Sequence, residues 1–430
     1  MYAGAGDSIN AIVADFGSYT SKVGFAGEDI PAAVTKSIVG EKSSSGDEDS
    51  QYIMPDQFPQ YESSIELKNI LQEGLISDWD KLENIWEYSL LKRLSVDPKE
   101  HPCLLVERSF NSSLIRHKIC EIWFEKYSVP AFFMSKDAVL SCFASGRTSG
   151  VVADIGGEVT TITPVSDGWV ESKGIVKSLI AGNTVNKYLH YILEKKGQNF
   201  TPKYSRRKKV RINETGKSKE SISQVHSSYN DFLVNEALKD AKESLGRMSD
   251  SPVDKSDPRF TNIPKLIYEL PDGTSLSIGV ERFEVAELMV DTSPLTSPLS
   301  AVAPASLRAL VESIGRPGFS RDPVQSLICE SVLRCDRDQQ AQLLNNVILA
   351  GGGSCFEGMP ERLKSEVEKI VHMSTPGWKV KVIAAGVNER KFSAWLGGSI
   401  LASLGSYHEL WMSKAEYEEH GSHLIDRKCP

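Results

Sequence analysis

The sequence predicts an α/β protein of two related lobes around a cleft, and three observations carry that prediction. The chain writes Val-Ala-Asp-x-Gly twice, around Asp15 in "AIVADFGSYTSKVGFAG" and around Asp154 in "GVVADIGGEVTTITPV", each time between two strand-like runs. Strand-like and helix-like segments alternate along the chain, as layered α/β proteins require. Late in the chain, "NNVILAGGGSCFEGMPERLKSEVEKI" reads as a strand, a glycine turn and a helix opened by Pro360. At 430 residues the chain exceeds what one hydrophobic core usually organises, so two or more lobes are the default.

Taken in order, Ile9 to Asp15 and Lys22 to Gly27 read as strands joined by a tight turn. Asp80 and Glu83 form a capping-box pattern, after which Leu82, Trp86 and Leu90 recur at helical spacing. Ile115, Ile119, Ile122 and Trp123 mark a second amphipathic helix, and Val151 to Asp154 returns to strand. The late helix has an apolar face of Leu363, Val367, Ile370 and Val371. Three stretches suit surface loops: acidic "GEKSSSGDEDSQ", basic "TPKYSRRKKVRINETGKSKESIS", and "DTSPLTSPLSAVAP", rich in Ser, Thr and Pro.

With 40% hydrophobic and 25% charged residues, the composition is that of an ordinary globular protein. Lys and Arg number 49 against 57 Asp and Glu, so bulk charge does not suggest a general nucleic-acid binder. Apolar runs fall short of the roughly 20 residues that span a bilayer, and "MYAGAGDSIN" shows no secretory pattern. Seven cysteines without a Cys-x-x-Cys pair read as reduced thiols of an intracellular protein. The eight histidines do not join them at zinc-ligand spacing.

The two aspartate turns suit a phosphate clamp. A turn through Gly17 and Ser18 offers backbone N–H groups and a hydroxyl to an anion, and Gly156–Gly157 would face it if the two halves are related domains. Asp15 and Asp154 repel bare phosphate, so their expected role is to hold a hydrated Mg²⁺ that bridges phosphate oxygens. Lys22 offers a neutralising charge, and Gly351, Gly352 and Gly353 let backbone approach a nucleotide. One Asp-x-Gly at a strand end is more often only a turn, but two in matching contexts favour a nucleotide site. Neither GxxxxGK[ST] nor a GxGxxG after the first strand is present.

The run "DFGSYTSKVGFAGEDIPAAVTKSIVG" resembles the first phosphate segment of the actin superfamily. "HPCLLVE", "AVLSCFASGRTSG", "ELPDGTSLSIGVERF", "ILAGGG" and the tail from "WLGGSILASLGSYHELW" resemble it in the same order. "GSYTSKVGFAGED", "VPAFFMSKDAVL" and "GIVKSLIAG" look most like its nuclear branch, subunits of chromatin remodellers and histone acetyltransferase complexes. The resemblance implies an actin-like fold, with a small lobe of 1–148 and 393–430 and a large lobe of 149–392 carrying the basic insertion near 201–223. It implies ATP and Mg²⁺ as cofactors. By matching motifs, Gly17, Ser18, Tyr19 and Lys22 fall in the first phosphate loop, and Asp154, Gly156 and Gly157 in the second. Gly182 falls in an Ala-Gly turn, and Lys242 and Glu243 of "DAKESL" border the purine and ribose. Gly351, Gly352, Gly353, Cys355 and Phe356 form the adenine-side loop, with Lys391 the late lysine, while Asp15 and Asp154 surround the hydrated metal. Without the resemblance, Lys242 and Glu243 read as an exposed helical pair. The implied partners are actin and a long helix of a scaffold subunit, with nucleosome, histone or DNA contact as further candidates.

Departures from the family pattern set the functional expectation. Asp137 and Thr161 stand where actin places a glutamine and a histidine around the attacking water, so hydrolysis is expected to be weak or absent. Gly157 and Glu158 replace an aspartate and a glycine, and Tyr19 replaces a glycine, where its side chain is expected to restrict the turn. The acidic stretch from Glu41 to Asp49 replaces a filament-contact loop, so no self-filament is expected. The six cations from Lys203 to Arg211 suit nuclear import or nucleic acid, or are merely a solvated loop. Two other readings remain: an active filament-forming ATPase, and a phosphotransferase of the sugar-kinase superfamily with Asp137 as base.

Overall fold

The computed structural model describes residues 10–42, 51–54, 64–198, 225–270, 273, 275–297 and 304–430. The cluster from Lys203 to Arg211 and most of the acidic stretch, including Ser44, lie outside the described residues.

The two aspartate motifs open two sheets built on one plan. In the first, Ile12–Phe16 runs antiparallel to Thr20–Phe25 and parallel to Cys103–Glu107. In the second, Gly150–Ile155 runs antiparallel to Thr160–Ser166 and parallel to Val347–Ala350. Asp15 pairs in register with Lys22, and Asp154 with Thr161. The Ala131–Lys136 strand lies parallel to Cys103–Glu107 and extends the first sheet. The carboxyl ends of these parallel strands therefore deliver Asp15, Arg108 and Asp137 from one sheet, and Asp154 and Gly351 from the other. That edge is where open α/β sheets gather ligands.

Each sheet has its own core. Ile12, Val13, Leu104 and Phe132 are buried with Trp86 and Trp123, while Val151, Ile162 and Val347 are buried with Leu363 and Val367. Trp395, Leu401, Trp411, Met412 and Ile425 return to the first core, and Trp395 Nε1 donates to Val13 O at 3.0 Å. The Asp137–Ala144 helix stands between the sheets, burying Ala138, Val139 and Cys142 against Val152, Val165 and Ile348 of the second. The lobes meet again where Ile65 and Leu67 pack on Tyr229, and Leu67 N donates to Ser228 Oγ at 2.8 Å.

Several local expectations are corrected. The first helix spans Trp79–Glu87 and is capped by Asp78, whose side chain accepts from Lys81 N, rather than by Asp80. Glu41 and Lys42 belong to the Ile38–Lys42 strand instead of a loop, and Glu41 is held by Lys68 at 3.1 Å and Lys81 at 3.3 Å. Within the Ser-Thr-Pro stretch, Ser293–Thr296 forms a helical turn because Leu295 is fully buried. The Pro360 helix spans Met359–Ser374 as its apolar face predicts. All seven cysteines are free. Among the described residues, no helix is long and apolar enough to cross a membrane.

The Ser393–Ser403 helix crosses the Asp137–Ala144 helix at backbone distance. A Cβ on Gly397 would lie 1.9 Å from Leu140 O. Alanine is the better helix former by about 1 kcal/mol, but here packing outweighs propensity, because overpacking typically costs about 1–3 kcal/mol. Gly397→Ala should lower the unfolding free energy by about 2 kcal/mol in a urea titration, whereas Gly405→Ala, with open space around it, should not. Unchanged stability of the Gly397 variant would show that the helices separate freely.

Candidate nucleotide site

A cavity of about 270 Å³ lies where the strand ends of the two sheets meet. It is close to the lower end of the ~300–1,000 Å³ typical of small-molecule pockets. Ser18, Tyr19 and Asn183 also border a neighbouring cavity of about 700 Å³. The first cavity brings together Asp15, Gly17, Ser18, Tyr19 and Lys22 from one lobe with Asp154, Gly156, Gly157, Gly182, Lys242, Glu243, Gly351, Gly352, Gly353 and Lys391. Cys355 and Phe356 are not in its lining. Phe356 is buried in the second core and abuts Gly246, and Cys355 Sγ faces the carbonyls of Gly351 and Val387 at 3.7 Å.

The backbone is shaped for close approach. Gly351 has φ +80°, and a Cβ there would lie 2.3 Å from Asp154 Oδ1 and 2.4 Å from Ile155 O. Only glycine accommodates both demands. The N–H groups of Gly182 and Asn183 donate to the carbonyls of Gly156 and Gly157, locking that turn to the Gly182–Lys195 helix start. The Gly17 and Gly156 N–H groups close their own hairpins on Thr20 O and Val159 O, so neither is offered to an anion as expected.

The charges form a closed set. Lys22 Nζ lies 2.7 Å from Asp15 Oδ2. Arg108 Nη1 lies 3.1 Å from Asp137 Oδ2 and 3.2 Å from Asp154 Oδ2, so one guanidinium bridges both lobes. Asp137 is firmly held: its Oδ1 accepts from Ser109 N, Ser109 Oγ and Ala138 N at 3.0, 2.5 and 2.8 Å. Burial pushes the Asp154 carboxyl up to about 6; Arg108 and Lys22 oppose that rise, and Asp137 and Asp15 add to it. Burial works against the charge on Arg108, but Asp137, Asp154 and Asp15 outweigh it and raise its pKa.

The departures from the family pattern find definite places. Thr161 is buried in its strand and outside the cavity lining. Glu158 borders the larger neighbouring cavity, away from the first. Tyr19 closes the cleft rather than straining its turn: its hydroxyl donates to Glu236 Oε1 and is contacted by Lys36, whose Nζ lies 2.6 Å from Glu236 Oε2. Gly157 abuts the Tyr19 side chain.

A polyphosphate fits this chemistry. The lining holds five cations, Lys22, Arg108, Lys239, Lys242 and Lys391, against four carboxylates. The Ser18 hydroxyl is buried without a hydrogen-bond partner at the edge of the cavity. A hydrated Mg²⁺ between Asp15 and Asp154 does not fit the same arrangement. Lys22 pairs with Asp15 Oδ2 and Arg108 with Asp154 Oδ2, so the chain's own cations stand where the ion's water shell would reach, and no group of three acidic, His or Cys side chains among the described residues is placed to hold a metal directly. Arg108 escaped sequence reasoning because it follows the matching "HPCLLVE" by one residue, and an arginine after a strand carries no spacing signal.

Two mixed sheets on one plan, with aspartate turns facing across a cleft, define an actin-like protein. The chain belongs to the actin family, whose model, Actin, matches residues 6–430. It is 39% identical to Actin-related protein 4 of Arabidopsis thaliana and 36% identical to that of Oryza sativa subsp. japonica, across all of both chains in each case. It is 33% identical to Actin-related protein 4 of Schizosaccharomyces pombe over 99% of this chain and 98% of that one. The family typically binds ATP with a divalent metal.

Lys242 gives the site a measurable pH signature. The residue is buried, and its Nζ donates to Gly182 O at 3.1 Å. Burial pushes its ammonium from 10.5 down to about 8, with Glu243 pulling the other way. Folding therefore disfavours the charged form. The penalty is absent above the unfolded pKa, grows as pH falls through the window from 10.5 to 8, and is complete below it. Relative to Lys242→Met, the ligand-free wild type should gain about 2 kcal/mol of unfolding free energy between pH 8 and pH 10. Denaturant titrations at the two pH values measure this, and a constant difference between the proteins would contradict it.

Proposed function

We propose that the chain is an ATP-binding, non-polymerising structural subunit of nuclear chromatin-remodelling and histone acetyltransferase complexes. In this reading it pairs with actin along a scaffold helix, and its lobes are 1–148 with 393–430, and 149–392. One observation carries the non-catalytic half: Asp137 spends both carboxylate oxygens on Ser109, Ala138 and Arg108. A general base needs a free lone pair within reach of the water it activates. Asp137 presents only Oδ2, which is already paired with Arg108, and Thr161 does not reach the cavity. The same pairing with Arg108 disfavours a sugar-kinase-like reaction with Asp137 as base.

Nucleotide in such a site acts on conformation instead of being consumed. A polyphosphate between the Gly17–Ser18 and Gly156–Gly157 turns ties the lobes together and sets their angle. The resemblance to the nuclear branch supports the partners: actin, a helix seated in a groove, and contact with nucleosome, histone or DNA. Nuclear localisation, with the Lys203–Arg211 cluster as import signal, belongs to the same reading.

Phosphate release from purified monomer loaded with ATP should be at least about 100-fold slower than from an actin-type site with its water-positioning groups. The same protein should stay in the supernatant under polymerising salt. Turnover at actin-like rates, or ordered filaments in electron micrographs, would sink the non-catalytic or the non-polymerising half respectively. Affinity purification should recover actin with a remodelling ATPase; recovery of the chain alone would remove the assembly half.

A further inference from the structure

We propose that Arg108 replaces the divalent cation, so that nucleotide binds in this cleft without metal. The inference rests on the nucleotide reading above and goes beyond it by naming the ligand form: a free nucleoside triphosphate, not its Mg²⁺ complex.

The geometry points to this substitution. A divalent ion serving a triphosphate here has to share the oxygens of Asp15, Asp137 and Asp154 through its water shell. Mg²⁺ demands near-ideal octahedral geometry at about 2.0–2.1 Å and gives up water reluctantly, so it needs both room and free lone pairs. Neither is present. Arg108 Nη1 stands between Asp137 and Asp154 at 3.1 and 3.2 Å, and Lys22 holds Asp15 at 2.7 Å.

Both Arg108 ion pairs are made by Nη1, while Nη2 points towards the phosphate turn, 3.8 Å from where a Cβ on Gly17 would be. Lys22 Nζ lies 3.5 Å from the same point. Two cationic side chains thus converge on the Gly17–Ser18 turn, beside the unpartnered Ser18 hydroxyl. A guanidinium is planar, always charged, and matches phosphate oxygens with paired N–H donors. It performs the charge neutralisation of a metal from a fixed position, and its tie to Asp154 makes it span the lobes as a bridging ion does.

The rival account is that Arg108 only latches the two lobes and swings aside when a metal–nucleotide complex enters. Calorimetric titration with ATP separates the two. Wild type and Arg108→Ala are stripped of nucleotide in EDTA and titrated in EDTA and in excess Mg²⁺, with melting curves checking that each is folded. The proposal expects wild-type affinities within about threefold of each other in the two buffers. It expects Arg108→Ala to bind at least about tenfold more weakly in EDTA and to recover with Mg²⁺. Wild-type binding that weakens tenfold or more on chelation overturns the proposal and leaves the nucleotide reading standing. No binding in either buffer overturns both. The wild-type comparison decides the matter even if the variant does not fold.

Discussion

Three carboxylates from two lobes crowd the floor of one cleft, and the bridge from Arg108 to Asp137 and Asp154 makes that crowding tolerable. Like charges gathered in a partly desolvated space repel strongly, and burial adds to the cost of each. The Asp154 carboxyl, pushed up to about 6, shows that the compensation is incomplete. Much else follows from holding these groups together. Asp137 must begin a helix that packs on both sheets, Gly351 must lack a side chain to pass Asp154, and Lys22 must stand opposite Asp15.

The cleft is thereby closed by the protein's own charges. On its floor Arg108 joins the lobes; at its mouth Tyr19 and Lys36 of the first lobe meet Glu236 of the second. These are polar contacts between separately cored halves, and polar contacts are easily exchanged for a ligand's. A polyphosphate entering between the turns draws on cations that already hold the lobes together. On the proposed reading, this is how bound nucleotide reports to the lobe angle, and hence to any surface both lobes build.

Much of the fold was legible because its signals are local and repeated. Two Val-Ala-Asp-x-Gly strands and a strand–glycine–helix run were enough to place both aspartates and the Gly351 loop. Lys242 and Glu243 became site residues only through the resemblance, since an adjacent charged pair on a helix carries no sign of what it faces. What was missed depended on contacts across the chain. Arg108 is informative only once Asp154 is known to stand beside it, and Tyr19 reads as a strained turn until Glu236 meets its hydroxyl. Phe356 was drawn into the site by its neighbours in the motif, but an aromatic side chain in reach of a core is pulled there by burial. The shift of the helix cap from Asp80 to Asp78 is of the same kind: two acids compete, and the one with extended backbone takes the cap.

The central claim is that the chain's own guanidinium occupies the place of the metal. Anomalous diffraction at the manganese edge, from crystals grown with ATP and Mn²⁺, tests it most directly. The account predicts nucleotide density between the two phosphate turns, Arg108 still between Asp137 and Asp154, and no anomalous peak beside Asp15 and Asp154. An anomalous peak there, with Arg108 turned out of the cleft, would contradict it.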